Sequence, residues 1–254
     1  MAIRPLGSLA VPLHPAMVPS NPSATGNEKE VVRNYFNGTG FERWRRIYSD
    51  SRDVNKVQEH IRHGHNKTVT AVLNWLQDDG DVKTRSFCDA GCGVGSLTLP
   101  LATMGAQRIT ASDLSEAMLA EAQQRAAAAG VSSEQARFQV ADLEALRGEF
   151  HTVICLDVFI HYPQKAAEAM VRHLAGLSQD RLIVSFAPYS LPLALLKAIG
   201  SIFPGASKAT RAYALKESGI VAAAAAAGFR PTDRRLFCSA PFYFSRLLEF
   251  RRHG

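Results

Sequence analysis

The chain has 254 residues, 46% hydrophobic and 20% charged, which is ample for a buried core and too apolar for wholesale disorder. Lys and Arg exceed Asp and Glu, 29 to 23, leaving a formal charge of +6, which suits an anionic substrate, an anionic membrane surface or nucleic acid alike. Four cysteines are too few and too scattered for a disulfide framework, Cys88 and Cys92 lack partners at zinc spacing, and no apolar run reaches the ~18 residues of a membrane span.

Residues 1–26 contain five prolines and no acidic residue, and read as a disordered tail rather than a secretory signal. Helical patterning begins at Asn27, with Glu30 three residues on at capping-box spacing. Asn37-Gly38-Thr39-Gly40 interrupts it, and FERWRRIYS continues as a further helical turn. Asp53 is placed to cap a long helix over about 54–77, whose stripe runs through Val54, Val57, Ile61, Val69, Val72, Leu73 and Leu76. Residues 27–79 therefore read as a helical lid or arm ahead of a domain spanning 80–254.

Past Gly80 the chain alternates. RSFCDA is a buried strand, GCGVGS a glycine turn, and LTLPLATMG a helix that tolerates Pro100 only in its first turn. QRITASD is a second strand. The helix after it has Ser115 as its cap and Gly130 as its stop. ARFQVAD and FHTVICLD are strands, 163–177 a helix and RLIVSFA a fifth strand. LPLALLKAIGSIF (191–203) and ALKESGIVAAAAAAG look helical, and FRPTDRRLFCSA with PFYFSRLLEFRR forms a closing hairpin. Strand–helix alternation of this length predicts a doubly wound α/β sheet, with the hairpin inserting one antiparallel strand.

The functional signal sits at the strand tips. Asp89-Ala90-Gly91-Cys92-Gly93-Val94-Gly95-Ser96 closes the first strand with a turn that lets backbone approach a ligand. A dinucleotide fingerprint wants its third Gly or Ala where Ser96 stands. A carboxylate at Asp89 repels a pyrophosphate and favours a positive group, such as a sulfonium or an α-ammonium. Asp113 ends the second strand and can accept both hydroxyls of a ribose. Asp142, at the third tip, can take an adenine amino group, with Leu143 packing beside the ring. Three acids at successive tips, around a Gly-x-Gly-x-Gly turn, point to a nucleoside-type ligand.

This arrangement resembles the class I S-adenosylmethionine-dependent methyltransferases over about residues 80–250. The resemblance implies their Rossmann-like sheet of seven strands, the last antiparallel. It implies S-adenosyl-L-methionine as co-substrate, held by Asp89 with Gly91, Gly93 and Gly95, by Asp113 with Leu114, by Asp142 with Leu143, and by Leu156. The fourth tip reads ICLDVFIHYP and lacks the Asn/Asp-Pro-Pro-Tyr pattern of adenine N6-methyltransferases, so base methylation and a nucleic-acid partner are disfavoured.

NYFNGTGFERWRRIYSD, CDAGCGVGSL, ICLDVFIHYP, SFAP and FPGASKATRAY are more specific, and together look like the magnesium-protoporphyrin IX O-methyltransferase family of chlorophyll biosynthesis, from about Val31 to Arg252. That resemblance implies methyl transfer to one propionate of magnesium protoporphyrin IX. The magnesium belongs to the substrate, and no protein-bound metal is expected. A propionate ionises near pH ~4–5 and is already a nucleophile at pH 7, so alignment replaces a strong general base. His161 is then the candidate for positioning that carboxylate or for contacting the porphyrin metal. Tyr35 is the candidate lid residue, and Arg45 or Arg46 can pair the second propionate. Coupling to the magnesium chelatase, peripheral contact with a photosynthetic membrane, and a cytoplasmic or plastid-stromal location are further implications. The same donor site would serve a methyltransferase for another hydrophobic acid or phenol, or a porphyrin carrier without turnover.

Overall fold

A computed structural model describes residues 24–48, 52–189 and 212–253. The expected tail over 1–26 lies almost wholly outside these residues. So do the 191–203 helix and most of FPGASKATRAY.

In chain order the elements are α1 (Ala24–Asn37), α2 (Phe41–Ile47), α3 (Lys56–Asp79), β1 (Ser86–Ala90), α4 (Thr98–Thr103), β2 (Arg108–Asp113), α5 (Glu116–Ala128), β3 (Ala136–Val140), β4 (Phe150–Cys155), α6 (Gln164–Leu177), β5 (Ser178–Phe186), α7 (Glu217–Ala225), β6 (Phe229–Ala240) and β7 (Tyr243–Arg252). The strands form one seven-stranded sheet in the order β3-β2-β1-β4-β5-β7-β6. β1 to β5 pair in parallel, and β7 enters antiparallel between β5 and β6. The order reverses between β1 and β4, and in open α/β sheets ligands lie beyond the carboxyl ends of strands at such a reversal.

Two apolar layers hold the sheet, and the two-residue period of a strand divides them. Val153 and Cys155 of β4 and Leu182 and Val184 of β5 pack with Met170, Val171 and Leu174 of α6. Between them, Ile154 and Ile183 point the other way, into a cluster with Leu101 of α4 and Val69, Val72 and Leu76 of α3. α3 is thus a layer of the α/β sandwich as well as a continuation of the N-terminal arm. The four cysteines are buried and free, Cys88, Cys155 and Cys238 on strands.

Helix boundaries follow their chemistry with two corrections. α1 starts at Ala24, so Asn27 lies inside the helix and does not cap it. Asp53 does not cap α3; it pairs with Arg46 at 3.0 Å. The cap is Asn55, whose side chain accepts from Gln58 N–H while the Gln58 side chain accepts from Asn55 N–H. Gly80 closes α3 in the left-handed conformation, Ser115 caps α5 through Met118 N–H, and Pro100 sits in the first turn of α4.

Candidate active site

The carboxyl ends of the central strands open into a cavity of about 910 Å³, counting the solvent at its mouth. The glycine turn after β1 forms its floor. Gly91 and Cys92 both donate their N–H to Ser112 O at 2.8 Å, which pins the turn to the tip of β2. Gly91 has φ +84 and a Cβ there would lie 2.2 Å from the Val158 side chain. Gly93 has φ +53 and no atom stands within 4 Å of where its Cβ would be, so backbone alone faces the cavity.

The three expected acids all line this cavity. Asp89 is 3% exposed and accepts from Thr98 Oγ1 at 2.5 Å. Burial pushes its carboxyl up to about 6. Asp113 accepts from Gly93 N–H at 2.9 Å and Ser115 N–H at 2.8 Å, one on each oxygen, which leaves a lone pair on each for a ribose hydroxyl. Burial raises this carboxyl too. Asp142 caps the short 3-10 turn at 143–145 through Glu144 N–H and meets Lys29 of α1 at 2.9 Å. The capping oxygen and the Lys29-paired oxygen are different atoms, so each carboxylate oxygen holds one protein partner.

Leu114, Leu143 and Leu156 also line the cavity, and so does His161. His161 ends a 3-10 turn after β4, with Phe36 of α1 edge-on at 5.2 Å. Burial drops its imidazole to about 4, partly offset by Asp157, so the ring is neutral at pH 7. Its Nδ1 is buried without a hydrogen-bond partner among the described residues.

Tyr35 and Gly95 stand outside the lining. Tyr35 is buried behind the wall, edge-on to Phe36, and its hydroxyl accepts the Trp44 indole N–H at 3.1 Å. From α1 the cavity sees Val32, Arg33 and Phe36 instead. Arg45 and Arg46 are occupied elsewhere, by Glu42 and Asp53 at 3.0 Å each, and Arg33 takes their place at the cavity.

Sequence reasoning missed a polar centre on the β4 side. Asp157, one residue past Leu156, holds φ 59, a left-handed conformation unusual for a residue other than glycine. Its carboxylate receives His65 at 2.7 Å, Ser185 at 2.9 Å and Tyr243 at 2.9 Å. Burial alone would raise this carboxyl; those bonds outweigh it and hold it below the usual carboxylate range. The signal for His65 was present: it falls four residues from both Ile61 and Val69, on the buried stripe of α3. Among the described residues, no group of His, Cys, Asp and Glu is arranged to hold a metal ion.

Known proteins share this arrangement. A family model described as "Magnesium-protoporphyrin IX methyltransferase C-terminus" matches residues 155–252, and a "Methyltransferase domain" model matches 87–179. The chain is 50% identical over 224 residues to the chloroplastic magnesium protoporphyrin IX methyltransferase of Arabidopsis thaliana, covering 88% of this chain and 71% of that one. It is 51% identical over 227 residues to the magnesium-protoporphyrin O-methyltransferase of Synechocystis, covering 89% and 97%. A crystal structure of magnesium protoporphyrin IX methyltransferase from Synechocystis PCC 6803 with bound SAH superposes with a TM-score of 0.82 at 50% identity, over 89% of this chain and 100% of that one. Sheet order, glycine turn and acidic strand tips define a class I S-adenosylmethionine-dependent methyltransferase. Within that class, the chain belongs to the magnesium-protoporphyrin IX methyltransferase family.

Proposed function

We propose that this chain transfers a methyl group from S-adenosyl-L-methionine to one propionate carboxylate of magnesium protoporphyrin IX. The products are the monomethyl ester and S-adenosylhomocysteine, in a step of chlorophyll biosynthesis. The observation that carries this reading is identity of about half across 88% of the chain with a named enzyme of this activity. The site fits the donor: a glycine cradle of bare backbone, acids at three successive strand tips, and apolar Leu114 and Leu143 beside them.

S-adenosylmethionine supplies a methyl group already activated on a sulfonium, so the chain's task is alignment. Holding both reactants in line is worth up to about 7–11 kcal/mol. In this reading Asp89 offers its charge to the cationic end, Asp113 its free lone pairs to the ribose, and Asp142 its oxygen to the adenine amine. His161, neutral, offers one N–H, which orients the attacking carboxylate without cancelling its charge. Arg33 is the cation available to the second propionate. The α1–α2 arm excludes water, with Phe36 against His161 and Tyr35 stiffening the arm from behind. Tyr35→Phe keeps that ring and removes the acceptor for Trp44, which assigns the hydroxyl if turnover falls.

The acceptor is flat, greasy and dianionic. That chemistry favours hand-off from the magnesium chelatase that makes it and peripheral contact with a membrane. No helix among the described residues is long and apolar enough to cross one, while Phe242 stays 67% exposed at the hairpin tip. Affinity capture of chelatase subunits and co-sedimentation with anionic vesicles test these two extensions. The central test is mass spectrometry after incubation with donor and magnesium protoporphyrin. One added methyl as an ester is the expected product; an unmodified pigment with donor bound would reduce the chain to a carrier.

A further inference from the structure

We propose that His65, held by Asp157, receives the α-carboxylate of the methyl donor. The proposal rests on the donor-site reading above and assigns the one anionic group of the donor, for which the acidic strand tips make no provision.

Asp157 is fixed from several sides. Its Oδ1 accepts from Ser185 at 2.9 Å, and Tyr243 donates to the carboxylate at 2.9–3.0 Å. Its own N–H donates to Ser185 Oγ at 2.8 Å, and Tyr243 is braced by Thr68 at 2.9 Å. This cluster spans α3, the end of β4, β5 and β7, and it holds a non-glycine residue at φ 59. Such concentration on a strand tip orients whatever Asp157 holds. What it holds is His65 Nδ1, at 2.7 Å, and since a carboxylate only accepts, Nδ1 carries the proton.

The other nitrogen is the informative one. His65 is 6% exposed and lines the cavity, with the Tyr48 ring against it at 4.4 Å. Its Nε2 is buried without a partner among the described residues. A buried nitrogen left unpaired costs free energy that a ligand atom can recover. A carboxylate arriving at Nε2 would be met by Nε2–H, a charge-assisted bond balanced by Asp157 on the far side of the ring.

Sheet order says which ligand atom arrives there. With adenine at Asp142 on β3 and ribose at Asp113 on β2, the donor's amino-acid tail runs over β1 toward β4. Asp89 of β1 pairs in register with Ile154 of β4, and Asp157 follows that strand. Arg33 lies at the opposite end, beside Asp142, Leu114 and Ala141. His161 is neutral. His65 stands on the tail's side of the crevice, with its unpartnered nitrogen placed to meet an anion.

The test compares two ligands by calorimetry on the full chain: S-adenosylhomocysteine, and its decarboxylated analogue, which keeps the amine and thioether. Wild-type protein is expected to prefer S-adenosylhomocysteine by about 10–100-fold, the range of a hydrogen bond to a charged group. His65→Asn should erase that preference, weakening S-adenosylhomocysteine and leaving the analogue within about twofold. It should also raise KM for the donor more than it lowers kcat. Equal weakening of both ligands, or an undiminished preference in the variant, overturns the assignment. So does a wild-type protein that binds both ligands alike, a result that needs no variant to fold. If the wild type binds neither ligand, the donor site itself falls, and His65 with it.

Discussion

Burial pushes Asp89 up to about 6, so above that pH the ligand-free crevice holds an ionised carboxylate that its surroundings resist. The sign follows from linkage. A carboxyl whose folded pKa lies above its unfolded value stabilises the fold at low pH, and that contribution is lost as pH rises through the folded value. A cationic donor reverses the balance, because it prefers the ionised form. Donor affinity should hold steady above pH ~6 and fall about tenfold per pH unit below it, with proton release near pH 6. Calorimetry from pH 5 to 8 in two buffers of different ionisation enthalpy reads both, and a flat affinity down to pH 5 would remove Asp89 from contact with the cation. His161 is set the opposite way, dropped to about 4 by burial. It is neutral throughout pH 6–8, so its titration should leave kcat flat over that range. His161→Ala should keep donor affinity and lower kcat by about 100-fold, the cost of misplacing a reactant by ~1 Å. Metal-free protoporphyrin separates the two roles open to this residue. An orienting His161 matters for both pigments, whereas one bound to magnesium matters only for the metallated one.

At the scale of elements, the arm made by α1 and α2 is fastened to parts that border the crevice. Lys29 bridges to Asp142 and Glu144. Asn37 accepts from Ser115 Oγ at 2.8 Å and Ala117 N–H at 3.2 Å, at the start of α5. Arg125 of α5 donates to Tyr48 O at 2.6 Å, just past α2. Asn37→Ala removes two latches far from the reacting atoms, at about 0.5–1.5 kcal/mol each. Donor dissociation should quicken several-fold in stopped-flow displacement and the melting temperature fall by roughly 2–12 °C; an unchanged rate would mean the arm does not gate release. Much of this architecture was legible beforehand, because hydrophobic period and turn chemistry are local. The strands, Ser115 and Gly80 sit where alternation, capping and glycine place them. The acids at the tips of β1 to β3 were legible because each stands at or just past a strand's carboxyl end. Tertiary partners were not. Asp53 read as the cap of α3, but it pairs with Arg46 instead, and Asn55 takes the capping place. Tyr35 and Phe36 are neighbours in sequence, and which of them faces the cavity depends on how α1 crosses the crevice. The His65–Asp157 pair joins residues 92 apart, and neither residue's own surroundings in sequence announce the other.

Across the whole molecule, α3 links two polar centres, one near its middle and one at its carboxyl end. His65 meets the crevice, and Asp79, 14 residues further on and about 21 Å along the axis, enters an ion cluster. There Asp79 forms ion pairs with Arg181 at 2.5 Å, Arg234 at 2.9 Å and Arg251 at 2.8 Å. Glu249, 2% exposed, meets Arg234 and Arg251 as well. Arg181 itself is 1% exposed, on the central strand β5. The cluster ties the carboxyl end of α3 to β5, β6 and β7. Buried ion networks contribute little over a well-packed apolar replacement, but losing one partner strands the others. Arg181→Met should therefore cost about 3–5 kcal/mol, lowering the melting temperature by roughly 6–20 °C. pH gives an independent reading. Burial would raise the Asp79 carboxyl, but Arg234, Arg181 and Arg251 together hold it below its ordinary value. A depressed carboxyl stabilises the fold above its unfolded pKa, and that contribution is lost as pH falls through the folded value. The wild-type protein should lose stability below pH ~4. Asp79→Asn should be less stable at pH 7 and show a shallower acid limb in urea titrations. If Arg181→Met melts with the wild type and Asp79→Asn keeps the full acid limb, the cluster contributes nothing to stability and α3 is held by its apolar face alone.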